Sequence, residues 1–234
     1  RVFNPKLIGK PLAILSNNDG CVISRSNEAK ALGIPMGAPA FKYERIFKKH
    51  NVHVFSSNFP LYGDMSSRVM SILSSYTPNI EIYSIDEAFL EFKGFDNYDL
   101  EKYGREIRKK VLKWTGIPVS IGIAPTKALA KVANRIAKKF ENKTTGVYVL
   151  DSKEKREKAL KWLKIEDVWG IGFKHTTRLK SYNVNKAYDF IKLPDKWVKS
   201  EMSVVVLRLK KEWEGKSVLS LEEHRSPKKA IATT

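Results

Sequence analysis

Two neighbouring carboxylates stand in the middle of an apolar stretch of the sequence. Asp86 and Glu87 belong to EIYSIDEAFLEF, residues 81–92, whose apolar residues suit a buried or half-buried β-strand. Two like charges in such a place are costly unless a cation lies between them. A hard divalent metal, above all Mg²⁺, takes carboxylate oxygens as ligands, and two such ions organise phosphoryl and nucleotidyl transfer. The alternative is a solvent-exposed hairpin tip that carries two ordinary acids.

The position of the pair decides whether the two acids can act together. Adjacent side chains of a regular strand point to opposite faces, so Asp86 and Glu87 converge only at a bend, a bulge or a hairpin end. The following AFLEF, residues 88–92, reads as a second strand that folds back beside the first. We therefore predict a hairpin in which both carboxylates reach one cleft.

A basic stripe follows in TKALAKVANRIAKKF, which reads as a helix with Thr126 as its N-cap. Apolar residues supply one side of this helix, as expected for packing against a sheet. The basic residues recur with helical spacing along the other side: Lys127, Lys131, Arg135 and Lys138. Such a stripe binds a triphosphate or a nucleic-acid backbone by charge, or else it is an ordinary solvated face.

A third motif is DVWGIGFKHTTRLKSYNV, residues 167–184. An apolar residue, Gly170-Ile-Gly172 and then a helix are typical of a helix-hairpin-helix element. Its glycines let backbone N–H groups approach a DNA phosphate without reading the base sequence. The nearby Lys174, Arg178 and Lys180 favour DNA over the alternative, a plain turn between core helices.

The bulk composition limits the partners. The formal charge is +18, from 43 Lys and Arg against 25 Asp and Glu, which indicates a polyanion. Nucleic acid is favoured over a membrane, because no long apolar run and no basic amphipathic membrane helix is evident. The single cysteine, Cys21, excludes an internal disulfide and suits the cytoplasm. The spacing of the four histidines does not suit zinc.

The elements that must position these residues form three regions. Residues 1–58 read as a small α/β unit that begins with a strand, the turn NNDG and a second strand. Residues 59–150 alternate helices and strands, which predicts an α/β fold with one sheet. Residues 151 to about 216 read as helices joined by short turns.

Taken together, these motifs closely resemble the Y-family translesion DNA polymerases. YSIDEAFLE, GIAPTKALAKVANRIAKK and VWGIG occur in the family's order and spacing. LSNNDGCVISRSNEAKALGIPMGAP and FSSNFPLYGDMSSRVM resemble the UmuC-like branch in particular. The resemblance implies template-directed DNA synthesis past damaged bases, in DNA repair and SOS mutagenesis.

The same resemblance implies a domain order. It places small α/β fingers at residues 1–58 and a ferredoxin-like α+β palm at 59–150. An all-helical thumb with the helix-hairpin-helix would occupy 151–222, and a linker to a little-finger domain 223–234. The implied partners are DNA primer-template, deoxynucleoside triphosphates, accessory SOS proteins and the sliding clamp, in a nucleoid-associated bacterial cytoplasmic protein.

Residue roles follow from the same resemblance. Asp86 corresponds to a carboxylate that bridges two Mg²⁺ ions, and Glu87 to a ligand of the ion that activates the primer 3′-hydroxyl. Lys138 corresponds to a lysine on the incoming triphosphate, where Asn27 and Lys30 stand in place of the Tyr and Arg of many relatives. The DNA-contacting set is Gly170, Gly172, Lys174, Arg178, Lys127 and Lys131.

Two features of the family are not found in this sequence. Relatives begin with a strand bearing a further metal-binding Asp and a FYA-type run, and they continue into the little finger. We therefore expect residues 1–234 alone to be inactive. The alternatives are a non-catalytic, sequence-independent DNA-binding or regulatory module and a metal-dependent nuclease. An in-frame Asp followed by Phe-Tyr shortly upstream of residue 1 would favour the polymerase.

Overall fold

The computed structural model describes residues 1–222, so the predicted linker at 223–234 lies outside the described residues. The chain divides into two compact units, Arg1–Arg68 and a second that begins at Val69. They are called the first unit and the second unit below.

The first unit contains a short 3-10 helix (Pro5–Leu7), a three-stranded sheet and two complete α-helices. Its elements are β1 (Leu12–Leu15), β2 (Val22–Arg25), β3 (His53–Phe55), α1 (Asn27–Ala31) and α2 (Ala40–Lys49). The strand order is β2-β1-β3, with β1 antiparallel to β2 and parallel to β3. Asp19 adopts a left-handed φ of 54° in the NNDG turn, and the Asn18 side chain accepts a hydrogen bond from the Gly20 N–H at 3.3 Å. The predicted strand–turn–strand is therefore confirmed.

Helix α3 (Phe59–Ser74) runs from the first unit into the second. The remaining strands are β4 (Ile80–Ile82), β5 (Ala88–Leu90), β6 (Ile121–Ile123) and β7 (Val147–Val149). The remaining helices are α4 (Leu100–Thr115), α5 (Lys127–Lys139), α6 (Glu141–Thr144), α7 (Lys153–Trp162), α8 (Phe173–Ser181), α9 (Ala187–Ile191), α10 (Asp195–Glu201) and α11 (Val204–Trp213).

The prediction of one sheet in this region is wrong for the described residues. The structure has two separate pairs, antiparallel β4–β5 and parallel β6–β7. Strands share a ladder only when their backbones lie about 4.8 Å apart. Here a cavity of about 540 Å³ is lined by residues of β5 and of β6. Local alternation predicts each strand, but it carries no information about this spacing.

Helix α5 organises the second unit. Its predicted apolar side is buried, at Ala128, Leu129, Val132, Ala133 and Ile136. Strand β6 lies against the helix so closely that a Cβ at Gly122 would meet the Asn134 backbone nitrogen at 2.0 Å. Thr126 caps the helix as predicted, because its hydroxyl accepts a hydrogen bond from the Leu129 N–H at 3.3 Å. This packing fixes where the basic side of α5 points.

The helices after α6 share a core with α5. Buried residues of α5, α7, α8, α9, α10 and α11 form one hydrophobic cluster, which includes Leu160, Leu179, Phe190 and Trp213. The predicted helical character of this region is confirmed. None of the described helices is both long and apolar enough to cross a membrane.

Candidate active site

The two carboxylates lie at the end of the β4–β5 hairpin. Residues 83–87 connect the strands, and the Tyr83 and Ser84 N–H groups both donate to the Glu87 carbonyl at 3.0 Å. The Asp86 carboxylate accepts a hydrogen bond from the Ser84 hydroxyl at 2.7 Å, which orients it within the loop. The hairpin that the sequence predicts at this point is confirmed.

Both acids line the same cleft, the cavity of about 540 Å³ between β5 and β6. Its wall also includes the start of α5 and residues of the segment that follows α11. Asp86 is exposed and Glu87 half-buried. Solvent around Asp86 therefore lowers the free-energy cost of placing two negative charges side by side, and a cation beside Glu87 lowers it further.

The cation beside Glu87 is Lys131 of α5. Its ammonium donates to Glu87 Oε1 at 2.5 Å. The same ammonium lies 5.5 Å from the centroid of the Tyr83 ring, within reach of a cation–π interaction. A residue that the sequence suggested for DNA contact is thus tied to the acid pair.

One turn earlier, Lys127 makes a more deeply buried pair. Its ammonium donates to Glu81 Oε2 at 2.6 Å and to the Ser220 carbonyl at 3.3 Å. Glu81 is only 5% exposed, and it accepts a further hydrogen bond from the Glu222 N–H at 2.8 Å. This pair ties the start of α5 to β4 and to the segment after α11.

The other members of the basic stripe differ in their surroundings. Arg135 pairs with Asp167 at 2.6 Å. Lys138 is exposed near the end of α5. About ten ångströms of helix separate Lys138 from Lys131, because seven residues rise 1.5 Å each. The stripe predicted as one charged surface is therefore divided between ion pairs and open solvent.

The Gly-Ile-Gly segment leads directly into α8. Gly170 has a left-handed φ of +84°, and a Cβ there would meet Leu209 Cδ1 at 2.2 Å. Gly172 is the N-cap of α8 and faces open space. Lys174 is exposed, whereas Arg178 hydrogen-bonds the Glu201 carbonyl. The preceding Trp169 donates from Nε1 to the Tyr83 hydroxyl at 3.2 Å, which links this segment to the carboxylate hairpin.

The remaining candidates, Asn27 and Lys30, lie on α1 of the first unit. Both are exposed, and the Lys30 ammonium donates to Asn27 Oδ1 at 3.3 Å. Between them, Glu28 pairs with Arg1 at 2.6 Å. The Arg1 hydrogen bond, helped by Ser26, lowers the pKa of Glu28 to about 2.

The donor set of the cleft fits a hard divalent cation in its chemistry. Asp86 and Glu87 offer carboxylate oxygens, which Mg²⁺ prefers. Within residues 1–222, no group of three or more His, Cys, Asp or Glu side chains is arranged to hold a metal. The pair alone would therefore supply only part of a coordination sphere, and further ligands would have to come from water, from substrate or from groups outside those residues.

Residues 1–135, more than half of the chain, match the impB/mucB/samB family. The chain belongs to the impB/mucB/samB family. Protein UmuC of Salmonella typhimurium is 45% identical over 231 residues, which cover 98% of this chain and 55% of that protein. Relative to UmuC, this family member thus spans little more than half the length.

Solved structures agree with this assignment. The insertion ternary complex of Dbh DNA polymerase matches with a TM-score of 0.79 and 28% identity, covering 94% of this chain and 64% of that one. A Y-family DNA polymerase chimera matches with a TM-score of 0.79 and 26% identity, covering 96% and 66%. The predicted kinship with the Y-family polymerases and their UmuC-like branch is confirmed, as is the mixed α/β fold.

Sequence reasoning missed Glu81 and Glu212 in this family member. Glu212 of α11 is fully buried, and its carboxylate accepts hydrogen bonds from the N–H groups of Ala128, Val218 and Leu219. Glu81 stands in the same apolar stretch as Asp86 and could have been noticed as a third acid. Glu212 carries no such local signal, because one of its partners lies 84 residues away.

Proposed function

We propose that the chain carries the catalytic carboxylates of a template-directed DNA polymerase that synthesises past damaged bases. The observation that carries the proposal is the placement of Asp86 and Glu87 at one hairpin end, in one cleft, beside the basic helix α5. It is supported by similarity to UmuC and to Dbh DNA polymerase. Because the chain spans 55% of UmuC, the activity belongs to the protein that contains residues 1–234.

In this proposal Asp86 would serve as a ligand of both Mg²⁺ ions, and Glu87 as a ligand of the ion that activates the primer 3′-hydroxyl. The ions, when bound, neutralise the triphosphate and favour ionisation of the primer 3′-hydroxyl. The protein's own contribution is to orient the two carboxylates. The Ser84 hydroxyl fixes Asp86, and the 3.0 Å hydrogen bonds to the Glu87 carbonyl fix the loop.

The substrates are deoxynucleoside triphosphates and primer-template DNA. The proposed contacts to the triphosphate come from Lys138, Asn27 and Lys30. Lys30 would act as a point charge, without the two parallel hydrogen bonds that an arginine guanidinium can donate. Residues 1–58 would act as fingers, 59–150 as a ferredoxin-like palm and 151–222 as a thumb.

The thumb would grip the DNA backbone through a helix-hairpin-helix. Gly172, which faces open space at the start of α8, offers its backbone to a phosphate, and the exposed Lys174 adds charge. Gly170 is needed for the turn, and Arg178 lies further along α8. Lys127 and Lys131 would contact DNA only after leaving Glu81 and Glu87. Accessory SOS proteins and the sliding clamp are further proposed partners, in the bacterial cytoplasm near the nucleoid.

Primer extension tests this proposal. The gene product that contains residues 1–234 is incubated with Mg²⁺, the four deoxynucleoside triphosphates and a primed template, either undamaged or with one abasic site. We expect extension on both templates, and a loss of at least ~100-fold with Asp86→Asn, because the metal-bridging carboxylate is gone.

Residues 1–234 alone form the second arm of the experiment. We expect no extension from them, since within the described residues no third acid joins Asp86 and Glu87 in a group that could hold a metal. Robust extension by this chain alone would show that two protein carboxylates suffice. DNA binding without extension by either protein would favour a non-catalytic DNA-binding module, and template cleavage would favour a nuclease.

A further inference from the structure

Two lysines one helical turn apart on α5 make ion pairs that differ in their burial and in their further hydrogen bonds. Lys127 and Glu81 have side chains that are 13% and 7% exposed, and each has a further backbone hydrogen bond. Lys131 and Glu87 are more open, at 19% and 38%. The first pair is the more deeply buried, and of its two members only Lys127 lines the cleft, whereas Lys131 and Glu87 both line it together with Asp86.

The Lys131 ammonium occupies an oxygen that a metal would need. It donates to Glu87 Oε1 at 2.5 Å. A divalent cation that took the Glu87 carboxylate as a ligand would bring two positive charges close to this ammonium, and like charges at such distances repel strongly. A metal that binds through Oε1, or through both carboxylate oxygens, therefore displaces the ammonium from Glu87.

The Lys131 side chain can move away from Glu87 at low cost. A lysine is a point charge on a flexible stem with rotatable donors, unlike the two-pronged arginine–carboxylate pair. The Tyr83 ring, 5.5 Å from the ammonium, offers a weaker resting place for the displaced charge. A half-exposed pair also has a smaller net stability to lose than a buried one.

We propose that Lys131 is an exchangeable counter-ion of the metal site. It neutralises and orients Glu87 until a divalent cation binds, and the cation then displaces it. This inference rests on the proposed function for the metal site itself. Lys131 is accordingly a positioning residue, and it sets the metal affinity of the cleft.

The test is Mn²⁺ binding to residues 1–234, followed by the electron paramagnetic resonance signal of free Mn²⁺. We expect Lys131→Gln to bind Mn²⁺ about fivefold more tightly, because a competing charge is removed. Lys131→Arg, which keeps the charge and can pair in two-pronged fashion, should bind more weakly than the unsubstituted protein. The matched control, Lys139→Gln, removes the same charge from an exposed position eight residues further along α5 and should change the affinity less than twofold.

A purely structural role makes the opposite prediction. If Lys131 only held the hairpin in shape, Lys131→Gln would loosen the carboxylates and weaken Mn²⁺ binding; unchanged or weaker binding overturns the inference. Equal tightening by Lys139→Gln also overturns it, because the effect would then be general to positive charge. In thermal unfolding, Mn²⁺ should raise the Tm of Lys131→Gln more than that of the unsubstituted protein; an equal or smaller rise counts against the exchange.

Asp86→Asn separates this inference from the proposed function. If Asp86→Asn leaves Mn²⁺ affinity unchanged, the carboxylates are not the metal site, and both proposals fail. If Asp86→Asn weakens binding while Lys131→Gln does not tighten it, the metal site stands and the counter-ion role alone fails.

Discussion

At Glu212 a fully buried acid is satisfied by backbone groups. Its Oε1 accepts from the Val218 and Leu219 N–H groups at 2.7 and 3.0 Å, and its Oε2 from the Ala128 N–H at 3.2 Å. Ala128 belongs to the first turn of α5, where unpaired N–H groups and the helix dipole favour a negative charge. One side chain thus joins α11, the start of α5 and the segment that borders the cleft.

Glu212→Gln tests this joint. Both carboxylate oxygens of Glu212 now accept hydrogen bonds from backbone N–H groups. In glutamine one of these oxygens is replaced by an NH2 group, which cannot accept, so at least one buried hydrogen bond is lost. We expect the free energy of unfolding to fall by about 2 kcal/mol, the usual range for a hydrogen bond to a charged group. Urea unfolding measures it, with Glu201→Gln at a half-buried position as the control. A change below ~0.5 kcal/mol in Glu212→Gln would contradict the assigned role.

The residues of the cleft were predictable to different degrees. Asp86 and Glu87 stand out because adjacent acids in an apolar run need an explanation within that run. The partner of Glu87 could not be predicted: helical spacing placed Lys131 on a basic stripe, and 44 residues separate the two. Pairing across such a separation depends on how α5 lies on the hairpin, which is a property of tertiary packing.

Helices α10 and α11 are joined by a cluster of charges. Asp195 pairs with Lys210 at 2.8 Å and also with Lys211. Lys210, with its side chain only 5% exposed, also pairs with Glu214 at 2.5 Å. Hydrogen bonds from Lys210 and then Lys211 lower the pKa of Asp195 from 3.8 to about 2. These lysines are thus paired charges within the fold and do not add to an open basic surface.

This cluster predicts a pH dependence of stability. Because the folded-state pKa of Asp195 is lower than the unfolded-state value, its stabilising contribution is present above about pH 4 and is lost as the pH falls through about 2. We expect Asp195→Asn to have a lower Tm than the unsubstituted protein at pH 7. The difference between the two Tm values should become smaller as the pH approaches 2. Thermal unfolding between pH 2 and 7 measures this. A difference in Tm that stays constant over that range would refute it.

Elements differ from residues in how far the sequence determines them. The apolar side of α5 and its Thr126 cap follow from spacing and capping chemistry, and the structure agrees with both. The grouping of strands into sheets does not follow in this way. The alternation of apolar and polar residues along β4, β5, β6 and β7 would be the same whether the four strands formed one sheet or two. The close approach at Gly122 is likewise evident only when α5 is in place, since a lone glycine in a strand has several explanations.

At the scale of the whole molecule, the net charge of +18 is the property that most strongly indicates a polyanionic partner. Many of the lysines and arginines of the second unit are in ion pairs, including Lys127, Lys131 and Lys210. Others, such as Lys138 and Lys174, are exposed. DNA binding should therefore depend on a subset of the positive charges, chosen by the fold and not by position in the sequence.

Salt dependence measures this subset. A protein that neutralises DNA phosphates releases counterions, so the logarithm of its affinity falls linearly with the logarithm of salt concentration, with a slope of about −0.9 for each phosphate. We expect the affinity of residues 1–234 for duplex DNA to fall roughly 100- to 1000-fold between ~50 and ~200 mM salt, with little preference among base sequences. Fluorescence anisotropy with two unrelated duplexes measures both properties.

A pair of substitutions on α8 then assigns the charge. Lys174→Gln removes an exposed lysine near the Gly170-Ile-Gly172 segment and should make the slope less negative by about one. Lys180→Gln makes the same change on the same helix, but Lys180 pairs with Glu166 at 3.2 Å, so the slope should change less. Equal effects of the two substitutions would show that the ion pair does not withhold Lys180 from DNA. Tight binding that persists at ~500 mM salt would show that contacts other than phosphate charge dominate the complex.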